Sequence, residues 1–180
     1  LLTTNSEIHI PPECGFMIWL KDKYSSKKKF TVTKTFVYDL LKTKKFNFWN
    51  IKKNDLECMF KNKIFNNYFE LCLEIYKLHM KKTRKNTKII GDKNNFYLHH
   101  ISELNELDLN SKFIHIVRDG RDVAHSYLEI NENKIVSQYK PNLPKTIEKI
   151  AHDWVKNINL IENSLAKIDN HRKINIRYED

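Results

Sequence analysis

Two arginines and a serine stand where an apolar segment of the chain ends. Arg118 and Arg121 follow the run Phe113–Val117, and Ser126 comes eight positions after the first arginine. Arginine is scarce here, because only 5 of the 32 basic residues are Arg and the others are Lys. A guanidinium grips phosphate or carboxylate oxygens through paired hydrogen bonds, whereas an ammonium acts as a point charge. The pattern predicts an anion-binding site; a structural ion pair between Arg118 and Asp119 is the alternative.

A buried strand that runs into a helix is expected to position these side chains. Phe113–Val117 is short and rich in Ile and Val, which is typical of a strand covered on both faces, and Asp119-Gly120 marks its end. Asp122 is a candidate N-cap for the following helix. Ser126 then falls near the first helical turn, where backbone N–H groups favour a bound anion.

The same segment resembles the 3′-phosphate-binding segment of sulfotransferases that use 3′-phosphoadenosine 5′-phosphosulfate (PAPS). Both have an apolar strand, an arginine, an Asp-Gly or Asp-Pro turn, a second basic residue and a serine. Three further segments occur in the order of that family, and the bacterial and Golgi-type enzymes, including the tyrosylprotein group, are the nearest in pattern. These segments are Glu7-Ile-His-Ile-Pro-Pro-Glu13, Gly91-Asp-Lys-Asn-Asn-Phe96 and Ile176-Arg-Tyr-Glu-Asp180.

The resemblance implies two catalytic residues. Glu13 matches the family's glutamate that accepts the proton of the acceptor hydroxyl, and Lys93 matches a lysine beside the transferring sulfuryl group. Relatives carry Thr-Pro or Asp-Pro after this lysine, whereas this chain has Asn94-Asn95, so the geometry of the loop stays open. His99 or His100 is the alternative base, because cytosolic members of the wider superfamily use a histidine.

The resemblance also implies PAPS as the co-substrate. Arg118, Arg121 and Ser126 match the residues that bind its 3′-phosphate, and Tyr178 matches the tyrosine of a Tyr-Glu-Asp segment near the nucleotide. No metal is expected, because catalysis in the family needs none and the histidines are not accompanied by other metal-ligating residues at suitable spacing. The expected partner is a hydroxyl-bearing acceptor, either a carbohydrate, a peptide tyrosine or a small molecule.

Strand patterns at residues 7–10, 88–91, 113–117 and 173–177 alternate with segments of helical apolar periodicity at residues 33–43, 64–79 and 147–168. The last of these helices follows a polar loop at residues 131–144 and is expected to place Trp154 in the core.

Strands that alternate with long helices predict an α/β fold. We expect a three-layer, P-loop-like arrangement in which a mostly parallel sheet is flanked by helices. The family's Gly-x-x-Arg-Ser-Gly-Thr-Thr loop is not found, so residues 1–180 are interpreted as an internal fragment that lacks the first strand and this phosphate loop and is inactive alone. They are expected to form a single domain with a helical insertion at about 33–85, which in the family helps to shape the acceptor pocket.

The charge distribution argues against a nucleic-acid partner. The net charge is +10, but residues 1–90 carry a balance of +11 and residues 91–180 a balance of −1. The excess of basic residues therefore lies outside the half that contains the anion-binding motif. It could still attract an anionic acceptor such as an acidic glycan or peptide. The apolar stretches are far shorter than the roughly 18 residues of a membrane span. We expect a cytoplasmic protein; a lumenal or membrane-anchored location stays open.

Transfer of a sulfuryl group from PAPS to a hydroxyl is thus the predicted function. One alternative is a catalytically inactive nucleotide- or partner-binding module of the same fold. Glu13 and Lys93 separate the two hypotheses, because only an enzyme needs them as catalytic residues. The other alternative is a P-loop kinase, which would require a Gly-Lys-Ser/Thr loop and magnesium ligands.

Overall fold

The chain forms two compact units, Leu1–Leu107 and Asp108–Asp180, each combining strands with helices. The computed structural model describes residues 2–25, 28–83, 87–132 and 141–179. The α/β composition agrees with the predicted fold class.

The first unit pairs four short strands and surrounds them with helices. Its strands are β1 (Ile8–His9), β2 (Phe30–Thr31), β3 (Ile64–Phe65) and β4 (Ile89–Ile90), and its α-helices are α1 (Phe16–Trp19), α2 (Lys21–Tyr24), α3 (Lys34–Lys42), α4 (Lys53–Phe60), α5 (Tyr68–Thr83) and α6 (Ile101–Leu107). β1 pairs with β4 in parallel, and β2 pairs with β3 antiparallel. Short 3₁₀ helices occupy Leu2–Thr4, Phe46–Trp49 and Asn95–His99.

Local sequence explains where two helices of this unit begin. The Thr33 hydroxyl accepts the Phe36 N–H at 3.2 Å and starts α3, as the apolar periodicity of that segment predicts. The apolar periodicity between Ile64 and His79 predicts a helix over that range, but α5 begins only at Tyr68. The reason is that β3 comes first and the Asn67 side chain then caps the helix by accepting the Glu70 N–H at 2.8 Å.

The predicted helical insertion supplies most of the core of the first unit. In the buried apolar cluster, every residue except Cys14, Phe16 and Met17 lies between Phe36 and Tyr76. Aromatic side chains fill its centre, and Trp49 packs edge-on against Phe16 with ring centroids 5.5 Å apart. This region therefore buries the segment after β1, which contains Glu13.

The second unit consists of a parallel strand pair and two long helices. Its elements are β5 (Phe113–Val117), α7 (Gly120–Glu132), α8 (Ile147–Leu165) and β6 (Lys173–Arg177), with a 3₁₀ turn at Asn170–Arg172. The register runs from Phe113 opposite Lys173 to Val117 opposite Arg177. Both predicted strands and the long amphipathic helix are confirmed. The polar loop predicted for residues 131–144 lies largely outside the described residues.

Two expectations about the sheet need correction. The strands that the structure describes form three separate two-stranded sheets instead of one mostly parallel sheet, because β1 to β4 are only two residues long and each makes a single pairing. β5 is also not covered on both faces. Phe113, His115 and Val117 are half-buried on one side, whereas Ile114 and Ile116 are 47% and 58% exposed on the other.

Among the described residues, no helix combines the length and the apolar character needed to cross a membrane.

Candidate active site

Glu13 and Lys93 lie just beyond the carboxyl ends of two paired parallel strands. β1 ends at His9 and β4 at Ile90, and the Gly91 N–H continues the ladder by donating to the His9 carbonyl at 2.8 Å. The Lys93 ammonium forms an ion pair with Oε1 of Glu13. The two predicted catalytic residues, 80 positions apart in the chain, are therefore in direct contact in the first unit.

A second lysine, which sequence reasoning missed, completes this cluster. Lys45 Nζ lies 2.8 Å from Oε2 of Glu13, and both side chains are about three-quarters buried, with exposures of 27% and 26%. A single lysine among 27 carries no signal in the sequence. The one available hint is its position just before the buried aromatics of Phe46–Trp49.

The two ammonium groups determine the protonation of Glu13. Burial acts to raise the pKa of its carboxyl, but the hydrogen bonds and charges of Lys45 and Lys93 outweigh burial, and the net pKa is lowered. Glu13 is thus an ionised proton acceptor at neutral pH. While both lysines hold it, however, it is a weaker base than an ordinary glutamate.

Asp92 fixes the loop that carries Lys93. The hydroxyls of Tyr76 and Tyr97 both donate to its Oδ2, and the Lys93 N–H donates to its Oδ1 at 2.7 Å. Burial raises the pKa of Asp92 despite these hydrogen bonds. Since Tyr76 belongs to α5, the carboxyl ties the lysine loop to the core of the first unit.

The unusual pair Asn94-Asn95 has a local structural explanation. Asn94 Oδ1 accepts the Phe96 N–H at 3.2 Å and caps the 3₁₀ helix Asn95–His99. The side chain of Asn94 therefore ends the lysine loop, and Asn95 begins the 3₁₀ helix.

The alternative bases differ in their surroundings. His100 Nδ1 lies 2.6 Å from Oε1 of Glu103, whose other oxygen binds Lys21 at 3.0 Å. His99 is exposed in the 3₁₀ helix. This histidine–carboxylate–lysine contact is built from residues other than Glu13 and Lys93.

In the second unit, a cleft of about 560 Å³ opens at the carboxyl edge of β5 and β6. Three of the five arginines of the chain line it, namely Arg118, Arg121 and Arg177. They meet because parallel strands end at the same edge, as Val117 and Arg177 are register partners. Ser126 is half-buried in α7 and does not belong to the lining.

Arg121 is engaged by the residue that starts α7. Its guanidinium forms three hydrogen bonds to Asp119, from Nη2 to Oδ2 at 2.7 Å and from Nε to Oδ1 at 3.0 Å and to Oδ2 at 3.3 Å. Asp119 also caps the helix by accepting the Arg121 N–H at 2.8 Å, so the prediction of Asp122 as N-cap is wrong. The alternative of a structural ion pair applies to Arg121 instead of Arg118. These bonds from Arg121 lower the pKa of Asp119 to about 2.

Arg118 lies against the predicted nucleotide-side tyrosine. Its guanidinium is 5.6 Å from the centroid of the Tyr178 ring, and the Tyr178 N–H donates to the Val117 carbonyl at 2.8 Å. Trp154, expected in the core, is half-buried and lines the cleft, with Nε1 donating to the Arg118 carbonyl at 3.1 Å. Gly120 permits this approach, because a Cβ there would lie 3.3 Å from the indole.

Within the described ranges, no group of three or more His, Cys, Asp or Glu side chains is arranged to hold a metal ion.

Comparison with known proteins identifies the family. No curated protein matches the chain. A family model described as "Sulfotransferase family" matches residues 1–180, which is the whole sequence, and supports a general sulfotransferase function. The chain belongs to the sulfotransferase family.

Proposed function

We propose that this protein transfers the sulfuryl group of PAPS to the hydroxyl of an acceptor, with Glu13 as the general base. The observation that carries the proposal is the contact between the Glu13 carboxylate and the Lys93 ammonium beyond the ends of β1 and β4. A proton acceptor and a cation side by side at a strand edge are the two groups that the transfer needs. Ligands of α/β proteins bind at such edges.

The proposed step is an in-line displacement at sulfur. Glu13 takes the proton from the acceptor hydroxyl as that oxygen forms a bond to sulfur, and the bond between sulfur and the bridging phosphate oxygen breaks. The electron pair leaves with adenosine 3′,5′-bisphosphate, and Lys93 stabilises the developing negative charge. As in phosphoryl transfer, placement and electrostatics account for most of the rate enhancement.

The arginine cleft of the second unit is proposed to bind the 3′-phosphate of the donor. Arg118 offers an exposed guanidinium, and Tyr178 beneath it supplies an aromatic face beside the nucleotide. Arg121 must exchange Asp119 for phosphate oxygens, which is feasible because its side chain is 91% exposed and the ion pair is screened by water. Ser126 is assigned here only from the resemblance.

The acceptor is proposed to be a carbohydrate, a peptide tyrosine or a small hydroxyl compound. The charge balance of +11 over residues 1–90, the part that contains Glu13, favours an acidic glycan or an acidic peptide among these. Nucleic acid is not proposed.

The test is transfer of radiolabelled sulfate from PAPS to a panel of acceptors by the full-length protein. Glu13→Gln is expected to lower turnover by about 10²- to 10⁴-fold while donor affinity is retained, because a general base contributes about that factor. Glu7→Gln is the matched control, since Glu7 forms an exposed ion pair with Lys88 in the same region and has no assigned role.

Each outcome distinguishes between the candidate functions. Unchanged turnover in Glu13→Gln would refute the base assignment. Donor binding without transfer to any acceptor would favour the inactive nucleotide-binding module. Labelled phosphate transfer from ATP, with none from PAPS, would favour a kinase.

A further inference from the structure

The turn that carries Lys45 is bound to both neighbours of Glu13. The Cys14 thiol donates to the Lys44 carbonyl at 3.5 Å, and the Trp49 indole N–H donates to the Pro12 carbonyl at 2.8 Å. The ion pair from Lys45 to Glu13 lies between these two contacts in the chain. Three successive residues, 12 to 14, are thus joined to the segment 44–49.

The backbone of this turn adopts a strained conformation at Lys45. Lys45 has φ of 67°, in the left-handed region that costs a lysine roughly 1–2 kcal/mol. The following Phe46 and Trp49 are buried and stack with centroids 5.6 Å apart. A strained conformation held by buried neighbours is typical of residues that serve a site. The fold therefore orients the Lys45 side chain toward Glu13.

The two lysines that contact Glu13 differ in their exposure to solvent. Lys93 is 65% exposed, whereas Lys45 is 27% exposed. A lysine side chain in water exchanges readily between partners, because an exposed ion pair gains little free energy over hydration. The pair from Lys45 is better shielded from water and is supported by the contacts of the turn.

We propose that Lys45 is a positioning residue for sulfuryl transfer: it holds Oε2 of Glu13, so that Lys93 can turn to the donor and leave Oε1 to take the acceptor proton. This inference rests on the proposed function of Glu13 and Lys93. Without Lys45, departure of Lys93 would leave the carboxylate with neither ammonium and without a fixed orientation.

Lys45 and Lys93 can have separate roles because each contacts a different oxygen of the Glu13 carboxylate. An oxygen that receives a proton must be free of another donor, while the base as a whole must stay in line with the acceptor hydroxyl. Departure of Lys93 also removes one of the cations that lower the pKa of Glu13, so the carboxyl becomes more basic when the donor recruits that lysine.

The first test measures the protonation of Glu13 in the full-length protein without turnover. Carboxyl carbon NMR on protein labelled in glutamate, with the Glu13 signal assigned by its loss in Glu13→Gln, reports the pKa of that side chain. Lys45→Met is expected to raise the pKa of Glu13, and Lys45→Arg is expected to keep it near that of the unmodified protein. Lys63→Met is the matched control, because Glu74 is likewise held by two lysines, Lys63 and Lys77.

The second test measures turnover against pH in the same variants. Lys45→Met is expected to lower the kcat plateau by about 10- to 100-fold, the usual cost of a misplaced catalytic group. It is also expected to move the acid limb of kcat to higher pH, with donor Kd changed less than about 2-fold. Lys45→Arg should restore the acid limb and most of the plateau, and Lys63→Met should leave both unchanged.

A merely structural role for Lys45 would lower the plateau without moving the acid limb, and that result would overturn the proposal. A Glu13 signal that titrates identically in Lys45→Met and in the unmodified protein would also overturn it. If Lys45→Met fails to fold, Lys45→Gln with the same two measurements decides the question. Failure of the proposed function itself is recognised separately, because the unmodified protein would then transfer no sulfate from PAPS, or Glu13→Gln would retain full turnover.

Discussion

Removal of a single hydroxyl, in Tyr76→Phe, tests whether Asp92 holds the lysine loop against the core. Tyr76 is only 4% exposed, and its hydroxyl donates to Oδ2 of Asp92. The substitution keeps the ring and its packing, including the contact with Trp49 at 5.0 Å between centroids, and deletes only the hydrogen bond.

The expected magnitude follows from the charge and burial of the acceptor. A hydrogen bond to a charged group contributes about 1.5–3 kcal/mol to stability. For a chain of 180 residues, each kcal/mol corresponds to about 2–4 °C in Tm, so Tm should fall by about 3–12 °C. The value is expected toward the lower end of this range, because the Tyr97 hydroxyl still donates to Oδ2 of Asp92 after the substitution.

The assay is thermal and urea unfolding of the full-length protein followed by near-ultraviolet circular dichroism. Tyr38→Phe is the matched control, because Tyr38 is 56% exposed on α3 and its ring would keep the Lys42 ammonium 4.2 Å from the centroid. A surface change of this kind alters stability by less than about 0.5 kcal/mol.

The loss of stability in Tyr76→Phe should depend on pH, because it depends on the ionisation of Asp92. Burial raises the pKa of Asp92 above its unfolded value, so ionised Asp92 costs stability once the pH rises through the folded pKa. The tyrosine hydroxyls offset part of that cost in the ionised form. Destabilisation by Tyr76→Phe should therefore be largest at neutral pH and shrink as Asp92 becomes protonated. Equal effects of Tyr76→Phe and Tyr38→Phe at neutral pH would refute the reasoning.

Two further predictions concern the other polar clusters. Burial and the neighbouring His9 lower the pKa of His79 to about 4. Between about pH 6.5 and pH 4 the unfolded chain therefore binds a proton at His79 that the folded protein does not bind, and the free energy of unfolding should fall as the pH drops through this range. Urea unfolding of His79→Gln should show a weaker dependence on pH over the same range. In the cleft, Arg118→Lys should weaken PAPS binding about 10- to 100-fold in calorimetry, because an ammonium cannot form the paired hydrogen bonds of a guanidinium. Lys149→Ala, which removes an exposed ion pair with Asp153 on α8, is its control and should bind PAPS normally; equal affinities of all three proteins would contradict the assignment.

Elements whose own residues carry a strong pattern were predictable. The Ile and Val run of β5, the long apolar stripe of α8 and the apolar side of α3 are local signals, and each element lies where the sequence pattern predicts it. Predictions failed where a local signal had competitors. Asp119 and Asp122 are both plausible caps, and only the course of the backbone after Val117 decides that Asp119 accepts the Arg121 N–H.

The sequence also could not predict whether one face or both faces of β5 are covered. An apolar run in a strand is compatible with two covered faces or with one, because it records the chemistry of the side chains and not their neighbours. The exposed Ile114 and Ile116 show that, in the part of the chain described, helices accompany only one side of β5.

By itself, the sequence determined the α/β class, the arginine motif after a strand and the family to which the chain belongs. Only the tertiary structure decided which groups meet: Lys45 and Lys93 reach Glu13 across 32 and 80 positions, and Tyr76 reaches Asp92 across 16. The physical reason is that strands and helices arise from contacts between near neighbours in the chain, whereas a side-chain cluster depends on how those elements pack. One lysine among 27 is indistinguishable from the rest until the packing brings it to a carboxylate.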